Sequence, residues 1–234
     1  MNKLSIFFLS VLFFSAQLNA EVTLTIQDHT KIMKFLIDHP VALKNWLKSR
    51  GRAGNVSSEE VFNFISTHAG KRSSTEVLYI VNKARSLNRR TRAINPGGNY
   101  NDIMQKIQSA RNLEELRLIL SREKNRISRV RTRNRRIISL SMGLEIASQI
   151  IEDGIANGIY SPDSYAAFLG RKRTRGIWNA LKDELLDTAK HDVAGAIIGA
   201  LIGPEGAVGG AIAASSASVA EVVLDLVLNP EPAY

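Results

Sequence analysis

Cysteine is absent from the 234 residues. That absence excludes disulfides, thiolate zinc sites, cysteine nucleophiles and a lipid-modified cysteine, so the fold must be stabilised by its core. Histidine is scarce. His29, His39, His68 and His191 are scattered without metal-ligand spacing, and there is no H-E-x-x-H, G-x-S-x-G, Walker loop or dinucleotide fingerprint. The glycine-rich run at 206–210 lacks the lysine and the preceding strand that a phosphate loop requires. Glu59-Glu60, Glu114-Glu115 and Glu152-Asp153 are adjacent carboxylates, which point in different directions on a helix and make no acid/base dyad by themselves. No catalytic residue, metal ligand or cofactor is implied. The expectation is a non-enzymatic protein, with a site assembled from distant residues, such as that of an envelope hydrolase, as the open alternative.

Basic residues are absent after Lys190. Residues 21–190 hold 30 Lys and Arg against 17 Asp and Glu, a formal charge of +13, whereas residues 191–234 hold five acids and no Lys or Arg, a charge of −5. This composition break divides the chain into a basic helical domain over 21–190 and a small-residue segment over 191–234, with the boundary falling between about Leu185 and His191. Ahead of both lies an export signal over residues 1–20. Asn2 and Lys3 give a short polar, positive start, residues 4–14 are apolar apart from two serines, and Leu18 and Ala20 occupy the −3 and −1 positions of a cleavage site. The apolar run is shorter than the roughly 20 residues a spanning helix needs. The chain is therefore expected to be cleaved between Ala20 and Glu21 and to act as a secreted or periplasmic protein.

The charge is densest over 122–136, where Arg122, Lys124, Arg126, Arg129, Arg131, Arg133, Arg135 and Arg136 face a single acid, Glu123. Smaller clusters occur at Arg85, Arg89, Arg90 and Arg92, and at Arg171, Lys172, Arg173 and Arg175. Arginine dominates all three. Its guanidinium binds phosphates and carboxylates bidentately and is less strongly hydrated than an ammonium, so the eight residues over 122–136 are the anion-binding candidates. Acids elsewhere in the fold would be the competing partners.

The body reads as helices. Ser57 with Glu60, Ser73 with Glu76 and Asn112 with Glu115 are capping pairs, and the predicted helices cover about 28–38, 41–50, 57–69, 74–88 and 101–110. Breaks fall at His39-Pro40, Gly51, Gly70 and 95–99. Residues 22–26 alternate and read as one short strand or a disordered new terminus. Leu113, Leu116, Leu120, Ile127, Val130, Ile137 and Leu144 follow a three-four alternation, with Glu123, Asn134 and Ser141 as polar seam positions. That pattern predicts one long central helix running into Ile150 and Ile151 and ending at Gly154, Asn157 and Gly158, its arginines forming two flanking strips. Ser161-Pro162 opens a short helix closed by Gly170, and Trp178, Leu181, Leu185 and Leu186 give the next helix a core-facing stripe.

Gly195, Gly199 and Gly203 form an unbroken four-residue repeat, and after Pro204-Glu205 the spacing resumes at Gly206, Gly210, Ala214 and Ser218. A column of small side chains lets another backbone approach closely, so these seven are the helix-packing candidates. Each interior glycine costs about 1 kcal/mol relative to alanine, so packing must compensate. The predicted shape is a helical hairpin turning at 203–206, its second arm completed by Val219, Val222, Val223, Leu226 and Val227. This segment, about 191–228, resembles the glycine-zipper segments of bacteriocin-like peptides and bacterial envelope proteins, and the resemblance implies association with membranes. A spanning role meets a length limit: residues 193–203 would rise only about 16 Å against a hydrocarbon core of about 30 Å, and Glu205 and Glu221 would be costly inside it. A hairpin packed on itself or on the body is the alternative.

The fold class expected is mainly α, a helical bundle with one long central helix and a C-terminal glycine-rich helical hairpin. The function expected is that of an exported helical protein, with bacteriocin-like or toxin effectors in its class, engaging an anionic membrane or envelope surface through its arginines and associating with membrane or with itself through the hairpin. A secreted nucleic-acid or polyanion binder is the alternative.

Overall fold

Helices start where the sequence supplies a polar cap or a proline. The computed structural model describes residues 23–50, 56–71, 74–91, 98–130, 133–166 and 175–228. The expected signal peptide and cleavage site, Ser73, Arg92, Arg131, Gly170, the cluster Arg171, Lys172 and Arg173, and the final residues of the tail lie outside them. Helix α1 (Ile26–Asp38) opens with the Thr25 amide donating to Asp28 Oδ2 at 2.8 Å. No strand forms among the described residues, because Asp28 draws residues 23–25 into a helix start. Pro40 ends α1 by disfavouring helical backbone at His39 and then serves as the first residue of α2 (Pro40–Ser49). Ser57 and Glu60 cap α3 (Ser58–Lys71) reciprocally: Ser57 N donates to Glu60 Oε2 at 2.9 Å and Glu60 N donates to Ser57 Oγ at 3.3 Å. Helices α4 (Thr75–Thr91) and α5 (Gly98–Ser109) follow.

The long central helix predicted from Leu113 onward is two helices. Helix α6 (Leu113–Ser128) begins with Glu115 N donating to Asn112 Oδ1 at 2.8 Å, and α7 (Arg135–Ala156) begins with Arg136 N donating to Asn134 Oδ1 at 3.0 Å. Asn134, placed by the heptad reading on the seam, is instead the cap at which α7 restarts. Folding back lets the two halves of the seam cover each other, with Leu116, Leu120 and Ile127 of α6 and Leu140, Leu144 and Ile151 of α7 all buried, and this burial favours the break. The hairpin is antiparallel, since Arg117 pairs with Glu152 and Lys124 with Glu145. Helix α7 ends at Ala156, and Gly158 takes a positive φ of 74°, turning the chain so that the Tyr160 ring lies on Gly154.

A 3-10 turn at Pro162–Tyr165 precedes α8 (Arg175–Gly199), which continues uninterrupted through the composition break at 185–191. Leu181 and Leu185 are buried as expected for its inner stripe, whereas Trp178, one turn nearer the helix start, is only half-buried and is not a core residue. A second 3-10 turn, Ala200–Ile202, leads through Gly203 to α9 (Pro204–Leu228). Gly203 has a φ of 118° and a Cβ there would meet nothing within 4 Å, so its place in the chain is the turn.

Helices α8 and α9 form the centre. Helix α9 packs against α1, α2, α3, α4 and α7 as well as α8, and one apolar core draws on all nine helices found among the described residues. Contact between α8 and α9 is closest at four glycines. A Cβ built on Gly195 would fall against the Gly210 carbonyl, one on Gly199 against that of Gly206, and the reverse holds for Gly210 and Gly206. Ser218 Oγ stands 2.8 Å from Thr188 Oγ1 across the same pair, and Ala214 lines the edge of the crossing. The second arm is longer than the first. Pro204–Leu226 spans 23 residues at a mean hydropathy of 1.6, long and apolar enough by composition to cross a membrane, yet 78% of that stretch's most apolar window is buried inside the bundle.

Candidate functional site: the basic tip of the α6–α7 hairpin

Two places in the fold concentrate polar chemistry, one inside the bundle and one on its surface. The interior one was invisible in the sequence, because its members lie far apart along the chain. His29 of α1 and Asp192 of α8 are fully buried, with Nε2 of the imidazole 2.6 Å from Asp192 Oδ1. Tyr160 donates its hydroxyl to Asp192 Oδ2 at 2.6 Å, and Ser215 Oγ of α9 lies 3.2 Å from the same His29 Nε2. Ser215 Oγ also donates to the Ala211 carbonyl at 2.9 Å. Burial, reinforced by the Asp192 carboxylate, pushes the Tyr160 phenol well above its ordinary pKa, which keeps the proton on the oxygen that donates. Beside this node Thr30 donates to Asp153.

Serine, histidine and aspartate meet here, but not as a catalytic triad. A triad needs the base to face the nucleophile with one ring nitrogen and the acid with the other. His29 turns Nε2 to both Asp192 and Ser215, while its Nδ1 is buried with no hydrogen-bond partner among the described residues. No substrate could reach the serine, since His29, Asp192 and Ser215 are all at 0% exposure. The node ties α1, α8, α9 and the turn after α7 together. Among the described residues no group of three or more His, Asp or Glu is arranged to hold a metal ion.

The surface site is where α6 passes into α7. Of the eight anion-binding candidates, two are spoken for within the fold. Lys124 pairs with Glu145 at 3.2 Å, and Arg126 pairs with Glu123 at 2.7 Å. Glu123 also takes Lys106 Nζ at 2.6 Å. Burial alone would raise the pKa of this carboxyl, yet the hydrogen bonds from Lys106 and Arg126 outweigh it and hold the group below the usual carboxylate value. Arg131 lies outside the described residues. The remaining five, Arg122, Arg129, Arg133, Arg135 and Arg136, are exposed, and none pairs with an acid among the described residues.

The break between the helices changes the form of this basic surface. The two long flanking strips expected of a continuous helix are replaced by a tip that gathers Arg129 from the end of α6 and Arg133, Arg135 and Arg136 from the start of α7. Arg129, at the α6 C-terminus, complements the helix dipole. Arg135 and Arg136 oppose it, because the first turn of α7 contains no acid.

Aliphatic side chains are exposed at the same end. Val130 is 44% and Ile138 53% exposed, and with Ile127, Ile137 and Met142 they line a groove of about 520 Å³ between the helices. Farther from the tip a second groove of about 550 Å³ shares the Lys124–Glu145 pair with the first and adds further ion pairs. There Arg117 clamps Glu152 with Nε to Oε1 at 2.7 Å and Nη2 to Oε2 at 2.9 Å. The cation Arg117 is thus paired toward the base of the hairpin, whereas Arg129, Arg133, Arg135 and Arg136 at its tip have no acid partner among the described residues.

Comparison of the chain with protein-family models, with curated proteins and with solved structures finds no match.

Proposed function

We propose that this is an exported, non-enzymatic helical protein that binds an anionic membrane or envelope surface through the basic tip of the α6–α7 hairpin. The observation that carries the reading is the set of four exposed arginines at this tip, Arg129, Arg133, Arg135 and Arg136, which like Arg122 farther back on α6 have no acid partner among the described residues. Guanidinium groups at this density are stabilised by phosphates or carboxylates supplied from outside. The adverse placement of Arg135 and Arg136 at a helix N-terminus supports the same conclusion, because folding alone would favour acids there. Burial of α9 favours a division of labour in which the glycine column packs the bundle and the arginines make the external contact.

The test is co-sedimentation of the mature chain with phosphatidylglycerol vesicles over a salt series, alongside the variant R129Q/R133Q/R135Q/R136Q. Glutamine retains helix propensity, and all four positions are exposed. Wild-type binding should weaken with salt, and the variant should lose roughly 100-fold or more in affinity, given about 1 kcal/mol for each basic residue at an anionic surface. Equal binding by the two proteins would refute the proposal.

A further inference from the structure

The exposed aliphatic floor of the tip has no part in neutralising phosphate. The geometry points to an anionic acyl lipid in a bilayer as the ligand of this site, its phosphate held by the arginines and part of an acyl chain lying in the groove between α6 and α7. The inference rests on the anionic-surface reading and names the ligand.

Three features select a lipid over a phosphate polymer. Unpaired arginines and exposed aliphatics coincide at one end of one hairpin: Val130 and Ile138 line the groove, whose own charged residues Lys124 and Glu145 pair with each other, and the exposed Arg129, Arg133, Arg135 and Arg136 are their close neighbours in sequence at its rim. A solvated polyanion-binding face gains nothing from half-exposed Val and Ile, whereas each methylene buried from water strengthens lipid binding roughly fourfold. A single-stranded nucleic acid would be held by stacking on aromatic rings. No Phe, Trp or Tyr occurs between Tyr100 and Tyr160. The charge pattern along the hairpin also gives a direction of approach. Toward the base of the hairpin Arg117 is held between Glu114 and Glu152, and Glu115 and Asp153 add further acids, so the tip is the end that meets an anionic bilayer.

The experiment uses the mature full-length chain and the variant V130Q/I138Q, whose replaced side chains are exposed and whose fold is checked by helicity and melting temperature. Binding to phosphatidylglycerol vesicles and to inorganic polyphosphate is measured at low salt and at 1 M salt, where the screening length falls to about 3 Å. Wild type should keep vesicle binding at 1 M salt and lose polyphosphate binding. V130Q/I138Q should lose that salt-resistant vesicle binding by roughly tenfold or more while binding polyphosphate at low salt like wild type. If salt abolishes wild-type vesicle binding as completely as polyphosphate binding, or if the variant matches wild type at 1 M salt, the lipid inference is overturned and the anionic-surface reading stands. If neither vesicles nor polyphosphate bind at low salt, both are overturned.

Discussion

Gly199 and Gly70 are both helical glycines, and replacing each by alanine should move stability in opposite directions. Gly70 lies near the end of α3, exposed, with nothing within 4 Å of a Cβ built on it. Alanine there gains helix propensity, at most about 1 kcal/mol. The same gain is available at Gly199, but the new Cβ would stand 2.6 Å from the Gly206 carbonyl carbon and even nearer its oxygen. Both are backbone atoms of α9, which cannot rotate away as a side chain would. The two helices must separate or shift, and overpacking of this kind costs about 1–3 kcal/mol before the faces beyond lose their own contacts. The net expectation is destabilisation by about 1–2 kcal/mol for G199A. For a chain of this length each kcal/mol moves the melting temperature by about 2–4 °C. Thermal and urea melts followed by circular dichroism should therefore place G70A above wild type and G199A below it, with G199L lower still. A G199A protein at least as stable as G70A would refute backbone contact between α8 and α9 and leave the glycines as a flexible or solvent-facing stripe.

Three further outcomes follow from the same geometry. Asp192→Ala would strip the acceptor from two buried donors, His29 Nε2 and Tyr160 Oη, and should cost about 3–5 kcal/mol in urea unfolding; a loss under about 1 kcal/mol would mean that water reaches the node. Glu123 has a folded pKa below its ordinary 4.5, so its contribution is complete above about pH 4.5 and is lost as pH falls through the folded value. Glu123→Gln should accordingly lower stability at neutral pH by about 1–2 kcal/mol, discounted because Lys106 and Arg126 are half-exposed, and the difference from wild type should vanish in acid; a pH-independent difference would contradict the assignment. Spin labels at Leu118 and Gln149, which line one groove across the α6–α7 hairpin, should report a separation near the helix-pair spacing of about 10 Å plus the label arms, whereas a continuous helix would hold them about 47 Å apart.

Local signals were legible in the sequence and long-range ones were not. Ser57 with Glu60, Asn112 with Glu115, Pro40 and Gly203 act within one turn of their own position, so their chemistry announces the helix starts and the α8–α9 turn. Of the seam over 113–144, Leu116, Leu120, Ile127 and Leu144 do face inward, but Val130 is exposed because the helix stops before it and the seam is divided between two helices. Arginine is a good helix former and Asn134 fits a heptad as a polar interruption, so composition could not separate a seam position from a cap. Only the presence of a partner for each half of the seam decides it, and that partner is the other half. The His29–Asp192 contact joins residues 163 positions apart, with no spacing rule to find it. Burial of α9 belongs to the same class, since an apolar helix of that length satisfies a membrane and a protein core equally well until its neighbours are known.

The break and the candidate site are one fact. In a continuous helix Arg122, Arg129, Arg133, Arg135 and Arg136 would be spread along a rod and around its sides, each separately solvated. The antiparallel return of α7 along α6 brings the last four to a single end, beside Val130 and Ile138, and presents the α7 N-terminus with them. This arrangement costs the folded state something, because like charges crowd and two arginines stand against the helix dipole. Acids at 135 and 136 would relieve both costs at once, each worth about 0.3–1 kcal/mol at a helix start. Elsewhere the same fold does place acids near its cations: Glu152 with Arg117, Glu145 with Lys124, Glu59 with Arg85 and Arg89. Charge pairing is therefore satisfied at these cations and absent among the described residues at the tip, and unpaired arginines set against a helix dipole with apolar side chains exposed beside them are the pattern expected where folding has been traded for contact with something outside the chain.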